Sequence, residues 1–295
     1  MLSKSNLKNS LFAIIACILW GSTYPVAKLT YDALSINSLY VSSIMLLTGI
    51  KFTLSGFLLI GLKSIKERKI ELPNRSKLVC LLLMCLLMPV IHDTLNSTGL
   101  ANTTGSKAAM LKQVGFMVLP SIVFLFRKDD KFTLNKLFGG ILGFASIIVI
   151  NFDGIDFNFN LGDGMMLLAS ACAAFTTVVS KSVYEKYPVL DIVGYSGLFG
   201  GIIMMITGFL FGGRINQINV FAVFLIVYTS VASASAYVMW GKALEESNIS
   251  KMSVLKFFEP LSAVVFSGLA LGENIFNPPF VIASLLVLAG IWLTK

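Results

Sequence analysis

The sequence predicts an all-α membrane protein of ten transmembrane helices, arranged as two inverted repeats of five helices each. The first observation is composition, because 56% of the 295 residues are hydrophobic and 13% are charged, against about 25% charged in soluble domains. The second is a series of apolar runs near the length of about 20 residues that crosses a bilayer. The third is a short sequence that recurs in both halves of the chain. A water-soluble fold is therefore excluded.

The apolar runs predict each span in order. Backbone groups inside a bilayer need internal hydrogen bonds, so runs of this length must be helices and not barrel strands. The first run follows Lys4 and Lys8, as in a signal peptide, but it is too long for one and further spans follow it. It is therefore predicted as the first helix. The spans lie near residues 10–31, 38–62, 78–98, 105–126, 135–152, 161–181, 190–212, 219–240, 250–271 and 278–294.

The basic residues predict the orientation of the spans. If the N-terminus is cytoplasmic, seventeen of the 23 lysines and arginines fall in cytoplasmic segments. Only Lys28, Lys107 and Arg214 fall at the outer ends. By the positive-inside rule this split predicts that both termini are cytoplasmic. The net charge of +8 is explained by orientation and calls for no nucleic-acid partner.

A duplication is visible in the sequence itself. The stretch SKAAMLK at 106–112 matches SKMSVLK at 250–256, and VAKLTYD at 26–32 pairs with VSKSVYE at 179–185. Ordered matches at nearly one offset indicate two repeats, which we place at 1–152 and 153–295. Five spans are an odd number, so the second repeat must enter the membrane from the opposite side. Inverted repeats are typical of secondary transporters that bind substrate near the membrane centre.

Several motifs then resemble a known family. LWGSTYPVAK at 19–28 resembles its Trp-Gly opening, IKF at 50–52 stands where Arg-Phe is usual, and the stretch 235–273 ends in Leu-Gly-Glu. The chain resembles the drug/metabolite transporter superfamily, in its ten-helix EamA-domain branch. In the first half RKDDK stands near the usual Gly-Glu. The resemblance implies a multi-pass transporter of small organic metabolites in the inner or plasma membrane, commonly an exporter, without a cofactor.

Two lysines lie deep in the predicted spans. Lys112 is about seven residues into span 4 and Lys256 about seven into span 9, so each lies about 10 Å deep at about 1.5 Å per residue. A lysine at the membrane centre costs about 2.5–3.5 kcal/mol. We therefore hypothesise that both face a cavity and bind an anionic substrate group as point charges. Snorkelling towards the interface is the alternative. The pair also resembles lysines of the phosphate-translocator branch.

Other polar residues share this depth. Glu259 lies on the same helix face as Lys256 and is expected to pair with it, and Lys51 is expected to pair with Asp93. These pairs would leave Lys112 and His92 uncompensated in a weakly positive cavity. His92, beside Asp93, either couples transport to protons, since imidazole titrates near neutrality, or is simply hydrogen-bonded inside the bundle. The predicted substrate-binding residues are Lys112, Lys256, His92, Asp93, Tyr237, Glu259, Lys51, Gln113, Trp20 and Tyr24.

The positions of aromatic, proline and cysteine residues predict structural roles. Trp240 is assigned to the membrane interface, where aromatic side chains are common. Three prolines are expected to interrupt their helices, either to free carbonyl groups for a ligand or only to bend the bundle. The cysteines have neither CxxC nor histidine spacing, so no metal site, disulfide or cofactor is predicted. The prolines are Pro89, Pro120 and Pro260, and the cysteines are Cys17, Cys80, Cys85 and Cys172.

The sequence favours a secondary transporter of a small anionic or zwitterionic metabolite, with the bilayer and the substrate as partners. Export of amphipathic amino acids or of aromatic cations is the alternative, with Glu259 and Asp93 as countercharges. A channel is more remote. An intramembrane enzyme with His92 and Asp93 as acid and base is remote too, because no nucleophile or metal set accompanies them.

Overall fold

The computed structural model describes residues 4–36, 40–68, 73, 75–103, 105–150, 159–271 and 278–293. Within these ranges all regular structure is helical. The predicted repeat boundary at 152 and 153 and the motif end at 272–273 lie outside them. The ten helices of this part of the chain are α1 (Lys4–Ala33), α2 (Val41–Glu67), α3 (Arg75–Ala101), α4 (Gly105–Ile122), α5 (Leu134–Ile150), α6 (Leu161–Tyr184), α7 (Val189–Leu210), α8 (Val220–Glu246), α9 (Ile249–Leu255 and Phe258–Leu271) and α10 (Pro278–Leu293).

The ten predicted spans are confirmed as helices. Over the described ranges, seven helices are long and apolar enough to cross a membrane, and three shorter apolar ones, α4, α5 and α10, complete the set. The largest differences are at the ends, because α1 begins six residues earlier than predicted and α8 continues to Glu246. Hydropathy reports only the stretch inside the bilayer, whereas backbone hydrogen bonding continues beyond it.

Three helices depart from regular α-geometry, each near a proline. In α3 the segment Leu86–Asp93 forms a π-helix around Pro89, and α4 ends in a 3-10 turn at Val123–Leu125 after Pro120. Helix α9 breaks at residues 256–257, in agreement with the interruption expected from Pro260. Pro260 has no N–H to donate to the Lys256 carbonyl, which instead accepts from the Glu259 N–H at 3.0 Å.

Helix packing follows a two-fold pattern. Helix α1 packs on α8, and their counterparts in the other half, α6 and α3, also pack on each other. Helix α4 packs on α6, and their counterparts α9 and α1 do the same. Helix α2 packs on its own counterpart α7, and α5 packs on its counterpart α10. Exchanging the two halves leaves this pattern unchanged, as a two-fold axis requires. With five helices in each half, the pattern is consistent with inverted repeats whose axis lies in the membrane plane.

A buried ion-pair triad ties the halves together at the end of the bundle where α1 begins, which we call the basic face. The Asp191 carboxylate at the start of α7 is only 3% exposed, and it pairs with Lys63 at 2.6 Å and with Lys77. The two lysines stand at the end of α2 and the start of α3. Three helices from two halves therefore meet at one carboxylate.

A second cluster on the basic face is more exposed. The Arg127 guanidinium donates to both carboxylate oxygens of Glu185 at 2.8 Å and also to Asp129. These hydrogen bonds hold the pKa of both carboxyl groups below their usual range. Nearby, Asp130 accepts from the Ser250 N–H at 2.9 Å and from its hydroxyl at 2.7 Å. Both contacts join the α4–α5 connection to the second half.

The four cysteines are free thiols within the bundle, in agreement with the prediction that they are packing residues. Cys17 and Cys85 are buried, and Cys80 and Cys172 are partly buried. The Cys17 thiol donates to the Leu255 carbonyl at 3.5 Å, next to the break in α9.

Candidate substrate-binding cavity

A cavity with charged and polar groups in a largely apolar wall lies between the two halves. Its volume of about 180 Å³ far exceeds the roughly 10–15 Å³ that one water molecule needs. Helices α1, α2, α3, α4, α6, α8 and α9 contribute side chains to its wall. Its charged residues and its histidine are Lys51, His92, Asp93 and Lys112 from the first half and Lys256 and Glu259 from the second.

One carboxylate bridges two lysines at the floor of the cavity. Glu259 is 2% exposed, and its Oε1 lies 2.8 Å from Lys112 Nζ while its Oε2 lies 2.8 Å from Lys256 Nζ. The Tyr24 hydroxyl donates to Oε1 at 2.7 Å and accepts from Lys112. The expected Lys256–Glu259 pair is confirmed, but the expectation that Lys112 is uncompensated is wrong. Its partner comes from another helix, which spacing within one span cannot reveal.

The Lys256 ammonium is surrounded by aromatic rings. Its Nζ lies 3.4 Å from the centroid of Trp20 and 4.7 Å from that of Trp240, a geometry that favours a cation. The assignment of Trp240 to the interface is therefore wrong. Trp240 is three residues after Tyr237 on one helix face, and that face points inward. Neither Lys112 nor Lys256 snorkels, because both amines are bound to Glu259.

Lys51 is the lysine of this cavity without a carboxylate partner among the described residues. Its Nζ lies 4.5 Å from the centroid of the Phe52 ring, and the expected pair with Asp93 is not formed. Asp93 instead lies 3.5 Å from His92 Nδ1 and accepts from the Tyr237 hydroxyl at 3.4 Å. Lys51 and Asp93 both line the cavity, where their charges interact without a direct contact.

The cavity carries a net positive charge. In the described lining, three lysines stand against two carboxylates, which gives a formal charge of +1 with His92 neutral. Glu259 is already shared between Lys112 and Lys256. Those two lysines with one carboxylate carry the excess of one positive charge, and Lys51 interacts with the Asp93 charge without a direct contact. An unpaired charge in a membrane protein is costly, and an incoming anion would compensate it.

The backbone of Lys112 is fixed by the neighbouring helix α6. The Ser170 hydroxyl donates to the Lys112 carbonyl at 2.8 Å and accepts from the Gly115 N–H at 2.7 Å. This double contact holds α4 where the Lys112 side chain reaches Glu259. Helix α6 of the second half therefore positions the Lys112 backbone, and helix α9 of the same half supplies the carboxylate that pairs with its side chain.

Nine of the ten predicted site residues line the cavity, and Gln113 does not. Gln113 is 1% exposed, and its Oε1 lacks a hydrogen-bond partner in the described structure. It follows Lys112 directly, about 100° around the helix, and so points away. A set of small polar residues in the lining was not predicted. Their hydroxyl or amide groups stand within apolar spans, which is the feature of the sequence that could have identified them. They are Thr23, Thr30, Thr48, Asn96, Ser97, Thr176, Thr177, Ser180, Thr229 and Ser233.

A glycine permits the close approach of α1 and α9 that forms the floor. A methyl group at Gly21 would lie 2.5 Å from Ser262 Cβ and 2.9 Å from the Glu259 carbonyl oxygen. We expect Gly21→Ala to destabilise the protein by about 1–3 kcal/mol, as overpacking does, and to separate Tyr24 from Glu259. Thermal unfolding measures this effect. Gly61→Ala is the matched control, because a methyl group there meets nothing within 4 Å. Equal melting temperatures for the two variants would contradict the close packing.

The chain is similar to known transporters along its whole length. Residues 7–152 and residues 160–295 each match the EamA-like transporter family. An uncharacterized transporter of Archaeoglobus fulgidus is 29% identical over 169 residues, which span 54% of this chain and 57% of that protein. The uncharacterized inner membrane transporter YicL of Salmonella typhimurium is 25% identical over 301 residues, covering 97% of this chain and 95% of that one. A crystal structure with 17% identity matches 97% of each chain with a TM-score of 0.74, which shows the fold alone.

Proposed function

Because the chain belongs to the EamA-like transporter family and is therefore a multi-pass membrane transporter, we propose that it carries a small organic anion or zwitterion by alternating access. The observation that carries this proposal is the excess positive charge of the cavity between the halves. Lys112 and Lys256, which share one carboxylate, and Lys51, which contacts none among the described residues, supply that charge. The anionic group of the substrate compensates it.

The other cavity residues have distinct roles in this proposal. Lys112 and Lys256 supply further positive charge at the floor. Trp20, Tyr24 and Tyr237 form a wall that contacts the apolar part of the substrate. Asp93 receives the amino group when the substrate is a zwitterion. A substrate without an anionic group leaves Lys51 uncompensated and is rejected.

The two-fold pattern of helix packing supports alternating access. In this proposal residues 1–152 and residues 153–295 form the two units, which rock about the cavity and expose it to each side in turn. The triad at Asp191 must open when the basic face opens. We place this face, with both termini, in the cytoplasm of a cell whose inner or plasma membrane holds the protein, because the positive-inside rule favours that orientation. Export as the direction rests on the family resemblance alone.

Counterflow in proteoliposomes tests the proposal. Vesicles that contain the purified protein and an excess of unlabelled succinate, phosphate or an amino acid should accumulate the labelled form of a transported compound. Saturable counterflow of anions or zwitterions, without unitary conductance, is the expected result. Conductance would identify a channel, and counterflow confined to aromatic cations would overturn the anion proposal.

Protons are the proposed coupling ion, and His92 is the residue proposed to carry them. His92 lies at the end of the π-helix beside Asp93, and its Nε2 is buried without a hydrogen-bond partner in the described structure. We expect His92→Gln to make transport independent of pH between about pH 5 and pH 8, because the glutamine amide cannot bind and release a proton. Uptake measured across this range checks the expectation. A pH profile identical to that of the wild type would exclude the coupling role.

A further inference from the structure

We propose that Glu259 occupies the place of the substrate's anionic group until the substrate binds, and that a substrate carboxylate or phosphate then displaces it from Lys112. This inference rests on the proposed function, since it requires an anionic substrate. It identifies Glu259 as a residue that determines specificity and links binding to the movement of the two halves.

The first argument is the broken symmetry of the repeats. The offset of 144 that relates Lys112 to Lys256 relates Glu259 to Gly115. The first half therefore has no carboxylate equivalent to Glu259, and one carboxylate serves two equivalent amines at 2.8 Å each. Two lysines that share one partner present a site for a second anion. A substrate carboxylate has the same charge and the same hydrogen-bonding oxygens as the Glu259 side chain.

The second argument is that the two ion pairs are unequal. Lys256 and Glu259 belong to one helix, three residues apart, and the Lys256 ammonium also lies over the Trp20 and Trp240 rings. The Lys256–Glu259 contact itself lies within the second half, although the Trp20 ring beside the ammonium belongs to the first. The pair of Lys112 with Glu259 joins α4 of the first half to α9 of the second. Displacement therefore occurs at Lys112.

The Tyr24 hydroxyl keeps a partner throughout this exchange, and Glu259 keeps the Lys256 ammonium. It accepts from Lys112 and donates to Glu259, so it can donate to a substrate oxygen in the same position. The incoming anion then contacts Lys112 and Tyr24 at the floor and Lys51 in the wall. Loss of the Lys112–Glu259 pair unties α4 from α9, which frees the halves to rock only after an anion has bound. A neutral analogue cannot compete with the carboxylate and leaves the pair closed.

Glu259→Gln tests the displacement. With the competing carboxylate replaced by a neutral amide, we expect the dissociation constants of succinate and inorganic phosphate to fall at least about tenfold, measured by titration calorimetry on the purified full chain. Asp93→Asn is the matched control, because it removes one negative charge from the same cavity without freeing Lys112. In this control the dissociation constants of the two anions are expected to fall by about two- to threefold. Adding Lys112→Met to Glu259→Gln should abolish the tenfold gain.

The outcomes separate the two proposals. Anion binding by the wild type with unchanged or weaker binding by Glu259→Gln overturns the displacement and leaves the proposed function standing. Equal gains in anion affinity in Glu259→Gln and Asp93→Asn overturn the displacement as well, because the loss of one negative charge from the cavity would then explain both. If the wild type binds no anion, the proposed function and this inference both fail. Should Glu259→Gln not fold, Glu259→Asp keeps the charge but is too short to reach both amines, and weaker anion binding by that variant overturns the inference.

Discussion

Lys51→Met is expected to abolish anion binding and to leave the protein at least as stable as the wild type. Removing one partner of a buried charge contact costs about 2–5 kcal/mol of binding free energy. The dissociation constant of a bound anion should therefore rise by a factor of about 30 or more, since about 1.4 kcal/mol corresponds to tenfold. Without substrate, however, the Lys51 ammonium has no carboxylate partner in the described structure, so its removal relieves the cost of burying a charge. Calorimetry measures the first effect and thermal unfolding the second.

Lys242→Met is the control for this variant. Lys242 is exposed on α8, close to the basic face, so its removal should change neither anion binding nor the melting temperature. A stable Lys51→Met variant that binds anions as tightly as the wild type would contradict the role of Lys51. A lowered melting temperature would contradict its description as an uncompensated charge.

Asp191→Asn is expected to cause the largest loss of stability of any single charge removal on the basic face. The variant leaves Lys63 and Lys77, whose side chains are 14% and 12% exposed, without their common carboxylate. Breaking a buried ion pair in this way costs about 3–5 kcal/mol. At about 2 °C per kcal/mol for a chain of 295 residues, since the entropy of unfolding grows with length, the melting temperature should fall by roughly 5–10 °C. Thermal unfolding of the purified protein measures this change.

Asp129→Asn provides the comparison for Asp191→Asn. Asp129 also accepts from a basic residue of this face, Arg127, but its side chain is 59% exposed. Exposed ion pairs contribute about 0–1 kcal/mol, so the melting temperature should change little. Similar effects of the two variants would mean that the Asp191 triad does not hold the halves together.

Most of the fold could be predicted from the sequence, because bilayer thickness and backbone hydrogen bonding leave few solutions for a long apolar run. The breaks within helices could not be located in the same way. Pro260 indicated an interruption of α9, but the sequence did not show that it would fall at Lys256. In α3 the sequence did not reveal the π-helix around Pro89, at whose end Asp93 contacts His92 and Tyr237 and not Lys51.

The sequence could predict which residues form the candidate site, but not which of them contact each other. A charged residue at membrane depth must face a cavity or a partner, and this rule found Lys51, Lys112, Lys256 and Glu259. Spacing reveals partners on the same helix, as for Lys256 and Glu259. The contact of Lys112 with Glu259 joins α4 to α9 across the interface between the halves. Only the tertiary arrangement of the two repeats brings them together.

Equilibrium binding of matched anionic and neutral ligands tests the central claim most directly. Small carboxylates, each beside its neutral amide, would be titrated into the purified protein while its melting temperature is followed, since a ligand that binds the folded state raises it. A cavity with an excess positive charge should bind at least one carboxylate and reject its amide, and this selectivity should disappear in Lys51→Met. Stabilisation by amines and not by carboxylates, or equal stabilisation by acid and amide, would contradict an anion-selective cavity.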